Sequence, residues 1–421
     1  IRSVARHSPY CGRGGRQPTA KTGVPQRKFF LRNLSDFPSI KPLRRHFQQL
    51  CRFNRFRQVC RVSSCVNVVF GDFIGRSCCT WVALGNSGFG GTLAFKKSIE
   101  YALKVLCFRT VMSCRKASHA GSWYTDFVGE LSNQLASWLQ KADFIHGPAR
   151  AIITPHAGYR YCGACAAYAY KQVGPAAVKR IFILGPSHHF SLSGCALTTT
   201  IKCKTPFYDL IVDTQVNNEL HATGHFEWLA LDVDEKEHSV EMQFPYIAKI
   251  MENYKDQFTI VPILVGTLSQ DRQLRYGRLL LKYLKDPQNL FIISSDFCHW
   301  GSQFRYTYYD TSYTYVYESI EHVDRTGMNA IENLNPAEFT DYLKKYGNTI
   351  CGRHVIGILL NVSTFLLFIL LRMSIFQMVQ LLIEDTKKRP NLKFLKYAQS
   401  NQCLSTSDSS VSYAAAALTI Q

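Results

Sequence analysis

The sequence predicts an α/β fold: a single domain with a central sheet, largely parallel or mixed, flanked by helices. Three observations predict it. From residue 112 onward, continuous apolar runs recur, each closed by Gly, Pro or Ser, and such runs suit strands buried on both faces. Stretches with helical period lie between them, and alternation of strand and helix points to parallel pairing. The 421 residues are 46% hydrophobic and 19% charged, a globular composition that excludes wholesale disorder and fibrous repeats.

Taken in order, Phe127–Gln140 places Leu131, Leu135 and Trp138 on one helix face. Ala149–Ile153 is the first strand, ending at Pro155. Ile181–Leu184 is the second, closed by Gly185-Pro186. Ser239–Met251 reads as a helix. Phe258–Val265 is the third strand, closed by Gly266, and Arg272–Leu284 is the helix after it. Leu290–Ile293 is the fourth strand, followed by Ser294-Ser295. Val355–Ile383 is largely apolar but carries Asn361, Arg372, Gln377 and Gln380. A membrane helix needs about 20 apolar residues, so a core helix starting near Val355 is expected, with an extra apolar insertion at about 362–380, and no membrane span. Val411–Ala415, with its small residues, is a last strand against a neighbouring layer.

The net charge of +19 is uneven. Residues 1–111 hold 20 Lys+Arg against 3 Asp+Glu, whereas 112–421 hold 29 against 27. The nucleic-acid signal that strong basicity gives therefore belongs to the first quarter, and no nucleic-acid partner is expected for 112–421. Residues 1–111 begin at Ile1, have no Met before Met112 and show no sustained amphipathic period. They are read as a basic extension, disordered or a gene-model artefact, and not as a targeting segment. The 15 cysteines are odd in number and spread over a long chain, which argues against a disulfide scaffold and for a reducing, intracellular compartment. Cys162 and Cys165 form a lone CxxC, read as buried thiols on a helix face.

In open α/β sheets ligands bind beyond the carboxyl ends of the strands. Three of the four strand ends here carry histidine: Pro155-His156-Ala157-Gly158-Tyr159, Gly185-Pro186-Ser187-His188-His189 and Ser295-Asp296-Phe297-Cys298-His299-Trp300. Parallel strands bring such ends to one rim, and imidazole suits zinc, copper, iron and nickel. The residues leave the third ligand open among Asp296, His299, Cys351, and the pair His238 and Glu241, whose spacing shares a helix face. Ser187 and His188 are adjacent and lack a GxSxG elbow, so a Ser/His triad is not expected. GxGxxG and Walker motifs are missing.

Six ordered motifs carry a resemblance: Ala117-Ser118-His119-Ala120-Gly121-Ser122-Trp123-Tyr124, Pro155–Tyr159, Leu184–His189, Glu237-His238-Ser239-Val240-Glu241-Met242, Ser294–Gly301 and Ile350-Cys351-Gly352-Arg353-His354. Together they resemble the Memo family, mediators of ErbB-driven cell motility, over 113–361 and again over Leu392–Ile420. The resemblance implies a fold similar to class III extradiol dioxygenases, which are non-haem iron enzymes. It implies iron or copper, one ion per site, held by His156, His188 and Cys351, with catalytic-type residues Asp296 and His299 in the same pocket and Trp123 with His299 as ligand-binding residues. It further implies phosphotyrosine-containing segments of receptor tyrosine kinases or their adaptors as partners, redox signalling, and a cytoplasmic or nuclear location. The chain departs from the family in residues 1–111, in Val355 where a proline is usual, and in the apolar insertion. Two functions compete: a signalling protein that docks phosphopeptides, and a metal-dependent oxidase or dioxygenase-like enzyme. Ring cleavage is disfavoured because Cys351 stands where working dioxygenases have a carboxylate.

Overall fold

The computed structural model describes residues 113–377 and 389–420. The basic extension 1–111 and the end of the insertion at about 362–380 lie outside the described residues. The fold opens with β1 (Cys114–Arg115), α1 (Val128–Lys141), β2 (Ala151–Thr154) and α2 (Tyr159–Tyr170). β3 (Arg180–Pro186), β4 (Cys195–Thr198), β5 (Lys202–Cys203), β6 (Leu210–Ile211), α3 (Thr214–Ala222) and β7 (Phe226–Leu229) follow. Three short helices come next: α4 (Leu231–Lys236), α5 (His238–Glu241) and α6 (Phe244–Ile250). β8 (Thr259–Val265), α7 (Gln270–Lys285), β9 (Asn289–Ser294) and β10 (His299–Trp300) complete the middle of the chain. The described C-terminal part is α8 (Val316–Glu332), α9 (Pro336–Tyr346), α10 (Arg353–Gln377), β11 (Pro390–Gln399) and β12 (Ser410–Ile420).

One large sheet runs β10-β12-β2-β9-β3-β8-β4-β7, with β11 on β12. Its centre, β2-β9-β3-β8, is parallel, while β12 is antiparallel to β2 and β4 antiparallel to β8. The sheet is therefore mixed, with helices on both faces, as the sequence predicts. Alternate side chains of each central strand face opposite layers. Ile152, Ile181, Ile183 and Ile292 pack with Leu131 and Leu135 of α1 and the cysteines of α2. Ile153, Phe182, Leu184 and Ile293 pack with Leu280 and Leu284 of α7 and Val355 and Ile356 of α10. That two-sided burial is why these strands read as unbroken apolar runs. Fully buried Leu131 and Leu135 each stabilise the fold by roughly 2 kcal/mol. Cys162 and Cys165 are buried free thiols on α2, matching the bland reading of their CxxC.

Two expectations change. The single helix over Ser239–Met251 is broken into α5 and α6, because Pro245 lacks the amide that would continue the α5 ladder. The last strand is twice as long as Val411–Ala415 suggested, because it pairs along its length with β11. The core helix near Val355 is present as α10, with Val355, Ile356 and Leu360 fully buried. Among the described residues no helix is long and apolar enough to cross a membrane.

Topology sets the site. β2, β3 and β9 run parallel with Thr154 level with Ser294, so the segments after them emerge on one rim. Two close approaches fix what joins them. A Cβ on Gly185 would come within 2.5 Å of Ser239 Oγ, so only glycine lets α5 lie against the end of β3. A Cβ on Gly352 would lie 2.4 Å from Ser295 Cβ, so only glycine lets the turn before α10 rest on the end of β9.

Candidate metal centre

His156 leaves the end of β2 and is buried. Its amide donates to Asp296 Oδ1 at 2.8 Å, and its Nδ1 lies 2.7 Å from Ser294 Oγ. The Ser294 hydroxyl donates to Ser239 O at 2.7 Å and accepts from Gln243 Nε2 at 2.9 Å. Its proton is thus committed, so the network assigns His156 Nδ1 as a donor and leaves Nε2 turned to the pocket. That Nε2 faces Cys351 Sγ at 3.2 Å.

His188, beyond β3, is held in the same way by a different group. Its amide and its Nδ1 bond the two oxygens of Glu237, at 2.7 and 2.9 Å. A carboxylate only accepts, so Nδ1 carries a proton and Nε2 is turned to the pocket. Burial opposes charge on His188, but hydrogen bonds to Cys351 and Glu237 prevail and raise its pKa to about 10. Glu237, although buried, is held far below the carboxylate range by His188 and His238. It also accepts the Ser239 amide at 3.0 Å, which caps α5.

Cys351 sits on the turn two residues before α10, half-buried, and its thiol accepts the Asp296 amide at 3.2 Å. Burial pushes the thiol up, but His156 and His188 outweigh it and bring the pKa down to about 6. The thiolate is the form that binds metals. His238 enters from α5. Its ring stacks on His188, centroids 4.5 Å apart at 21°, and stands perpendicular to His156 at 5.5 Å. Burial, then the neighbouring His156 and His188, lower its pKa to about 2, so it is neutral at ordinary pH. Its buried Nδ1 has no hydrogen-bond partner and lies 3.4 Å from Glu237 Oε1. One ligand atom each of His156, His188 and His238 lie within 4.8 Å of one another, so this cluster could hold a metal ion.

Two tests of fit agree. Each of His156 and His188 has one ring nitrogen fixed by an oxygen while the other faces inward, the orientation that metal-binding histidines take. The orphaned buried His238 Nδ1 is a polar atom that lacks a protein partner.

The remaining expected residues surround this core. Asp296 is buried, with Oδ2 4.0 Å from His156 Nε2. Burial raises its pKa, held back by the charge of His299. The His299 ring is fixed through one nitrogen, with Nδ1 3.0 Å from Phe297 O, while its amide donates to Thr349 Oγ1 and Phe304 packs edge-on at 5.3 Å. Trp123, 37% exposed, stacks on His238 at 4.4 Å. Glu241 faces away from the metal-competent atoms, accepting Arg115, the His119 amide and ring, and the Tyr124 hydroxyl. Sequence reasoning missed the roles of Glu237 and Ser294 in setting the two rings, because both partnerships are non-local. The Glu237-His238 dipeptide was visible, but nothing in it showed that its glutamate meets the residue after β3.

Sheet and pocket together define a class: a layered α/β protein with a histidine-rich, thiol-bearing pocket on the carboxyl rim of its parallel strands. Residues 115–417 match the family described as Memo-like protein, and the chain belongs to that family. Protein MEMO1 of Danio rerio is 57% identical over 312 residues, covering 73% of this chain and 98% of its own. Protein MEMO1 of Homo sapiens is 55% identical over 307 residues, with the same coverage. The protein memo-1 homolog of Caenorhabditis elegans is 50% identical over 305 residues, covering 72% of this chain and 82% of its own. A solved structure of an uncharacterized Escherichia coli K12 protein aligns with 63% of this chain and 98% of its own, at 13% identity and a TM-score of 0.37.

Proposed function

We propose that this Memo-family protein is an intracellular signalling protein that binds one iron or copper ion through His156, His188 and Cys351 and docks phosphotyrosine-containing receptor segments to promote cell motility. The observation that carries the metal reading is the Cys351 thiol, 3.2 Å from His156 Nε2 and in contact with His188. Two imidazoles with a thiolate suit copper and iron. A bound ion would supply Lewis acidity and one-electron chemistry. The chain's part is to orient the two rings through Ser294 and Glu237 and to release the protons of Cys351 and His188 Nε2, so metal affinity rises with pH. Trp123 supports peptide docking, because its half-exposed ring borders the cluster. The partner class is a phosphorylated receptor tyrosine kinase or its adaptor, met in the cytoplasm or nucleus. Residues 112–421 are the unit that carries the function, with 1–111 a basic extension.

A second reading, a metal-dependent redox enzyme, is favoured by buried Asp296 beside His156, with His299 and Asp296 moving protons. Elemental analysis tests the first reading. The chain purified without added metal should carry iron or copper, and His156→Ala and Cys351→Ser should not; metal-free wild-type protein that also fails to take up either ion overturns it. Oxygen consumption lost in His299→Ala at unchanged metal content would favour the enzyme.

A further inference from the structure

The pocket holds one more inward-facing imidazole than the His156–His188–Cys351 set uses. His238 and Cys351 both contact the His156–His188 pair. The thiol interacts with His156, His188 and Asp296. His238 packs on His156, His188, His119 and Trp123. The ligand atoms of His156, His188 and His238 lie within 4.8 Å of one another, and three nitrogens around one tetrahedral ion sit about 3.4 Å apart at bonds of roughly 2.1 Å. Small rotations of the rings close that gap. His188 and His238 lie nearly parallel at 21°, with His156 across them at 72° and 76°. His238 Nδ1 makes no hydrogen bond and lies 3.4 Å from Glu237 Oε1, so no protein partner fixes the ring against the small turn a cation requires.

We infer that His238 gives this pocket a second, thiol-free donor set: His156, His188 and His238 hold a borderline divalent cation such as Zn(II) without the thiol, while Cu(I) is held by His156, His188 and Cys351. The inference rests on the reading of the pocket as a metal site and deepens it by assigning a metal class to each donor set. The chemistry separates the two. Thiolate binds Cu(I) and zinc alike, so Cys351 is indispensable only to the soft ion, whereas three neutral imidazoles suffice for Zn(II) and its visible probe Co(II). Because His156 and His188 belong to both sets, the pocket takes one ion at a time.

The full chain, stripped by chelation, is titrated with Co(II), followed by visible absorption, and separately with Cu(I) against a chromogenic Cu(I) chelator. Circular dichroism confirms the fold of each variant. Cys351→Ser should bind one Co(II) within about tenfold of wild-type affinity while losing Cu(I) by a hundredfold or more. His238→Ala should keep Cu(I) within about tenfold and lose Co(II) affinity by a hundredfold or more in the Cys351→Ser background. His188→Ala should lose both. Loss of Co(II) from Cys351→Ser, or Co(II) binding unchanged by His238→Ala in that background, overturns the second donor set. Failure of wild-type protein to bind either ion overturns the underlying metal reading instead, so the two failures are distinct.

Discussion

Two buried polar clusters lie on either side of the turn that carries Cys351, and they differ in how their hydrogen bonds balance. Around Asp324 of α8, both carboxylate oxygens find donors. Oδ1 accepts the Cys298 amide at 3.3 Å and Asn348 Nδ2 at 2.8 Å, and Oδ2 accepts the Tyr397 hydroxyl at 2.9 Å. Asn348 also donates to the Tyr342 hydroxyl at 2.7 Å and accepts the Thr349 amide at 2.7 Å. At the rim, by contrast, His238 Nδ1 makes no hydrogen bond, and the inward ring nitrogens of His156 and His188 share a single sulfur. Both clusters are buried. A closed balance is what holds elements together, and a surplus of lone pairs is what a cation satisfies.

The difference is broken most strongly from the closed side. Asp324→Ala leaves the Cys298 amide, Asn348 and the Tyr397 hydroxyl without their acceptor, and stranded buried donors each cost about 1–3 kcal/mol. Urea denaturation should show a loss of roughly 3 kcal/mol, the same with and without metal. A loss under about 1 kcal/mol would mean that this cluster is not what ties α8 to β11 and the Cys351 turn.

Metal removal sharpens the other side. A ligand that binds only the folded state stabilises by about 2.7 kcal/mol at a free concentration 100-fold above its dissociation constant. Thermal unfolding of wild-type protein should therefore shift upward on adding Cu(I) or Fe(II). His188→Ala should lose the shift, and should unfold below metal-free wild type because buried Glu237 is left without its imidazole. A shift of equal size in His188→Ala would place the ion elsewhere.

The sequence made the rim legible and left the closed cluster dark. Apolar runs at Ile181–Leu184 and Leu290–Ile293 showed which strands are central, and parallel pairing then brought His156, His188 and Asp296 to one edge. Cys351 was one of several third-ligand candidates and was singled out only through the resemblance, since its place depends on Gly352 packing against Ser295. Asp324 gave no signal, because a lone acid within a helix reads as a solvated face. Its burial follows from β11 and β12, and β11, whose Lys393 and Lys396 break any regular alternation, shows little of a buried strand. The break between α5 and α6 was readable at Pro245, but the helical period masked it.

The smallest effect separates Cys351 from the other described cysteines. Burial raises the thiol pKa of Cys162, Cys165, Cys195, Cys203, Cys298 and Cys403, and also of half-buried Cys114. Cys351 alone among them is lowered, to about 6 from an ordinary 9.0, because imidazoles face it. A folded-state pKa below the unfolded one stabilises the metal-free fold fully above about pH 9, and that contribution fades as pH falls through 6. His188 has the opposite sign. Its raised pKa stabilises below 6.5 and the benefit is lost as pH rises through about 10. The two partly cancel in any stability curve, so the thiol is better read directly. Iodoacetamide alkylation of metal-free protein, mapped by peptide mass, should label Cys351 half-maximally near pH 6, before any other cysteine between residues 114 and 403. A midpoint near 9 would mean that the two histidines do not hold the thiolate, and with it the rim would lose its soft donor.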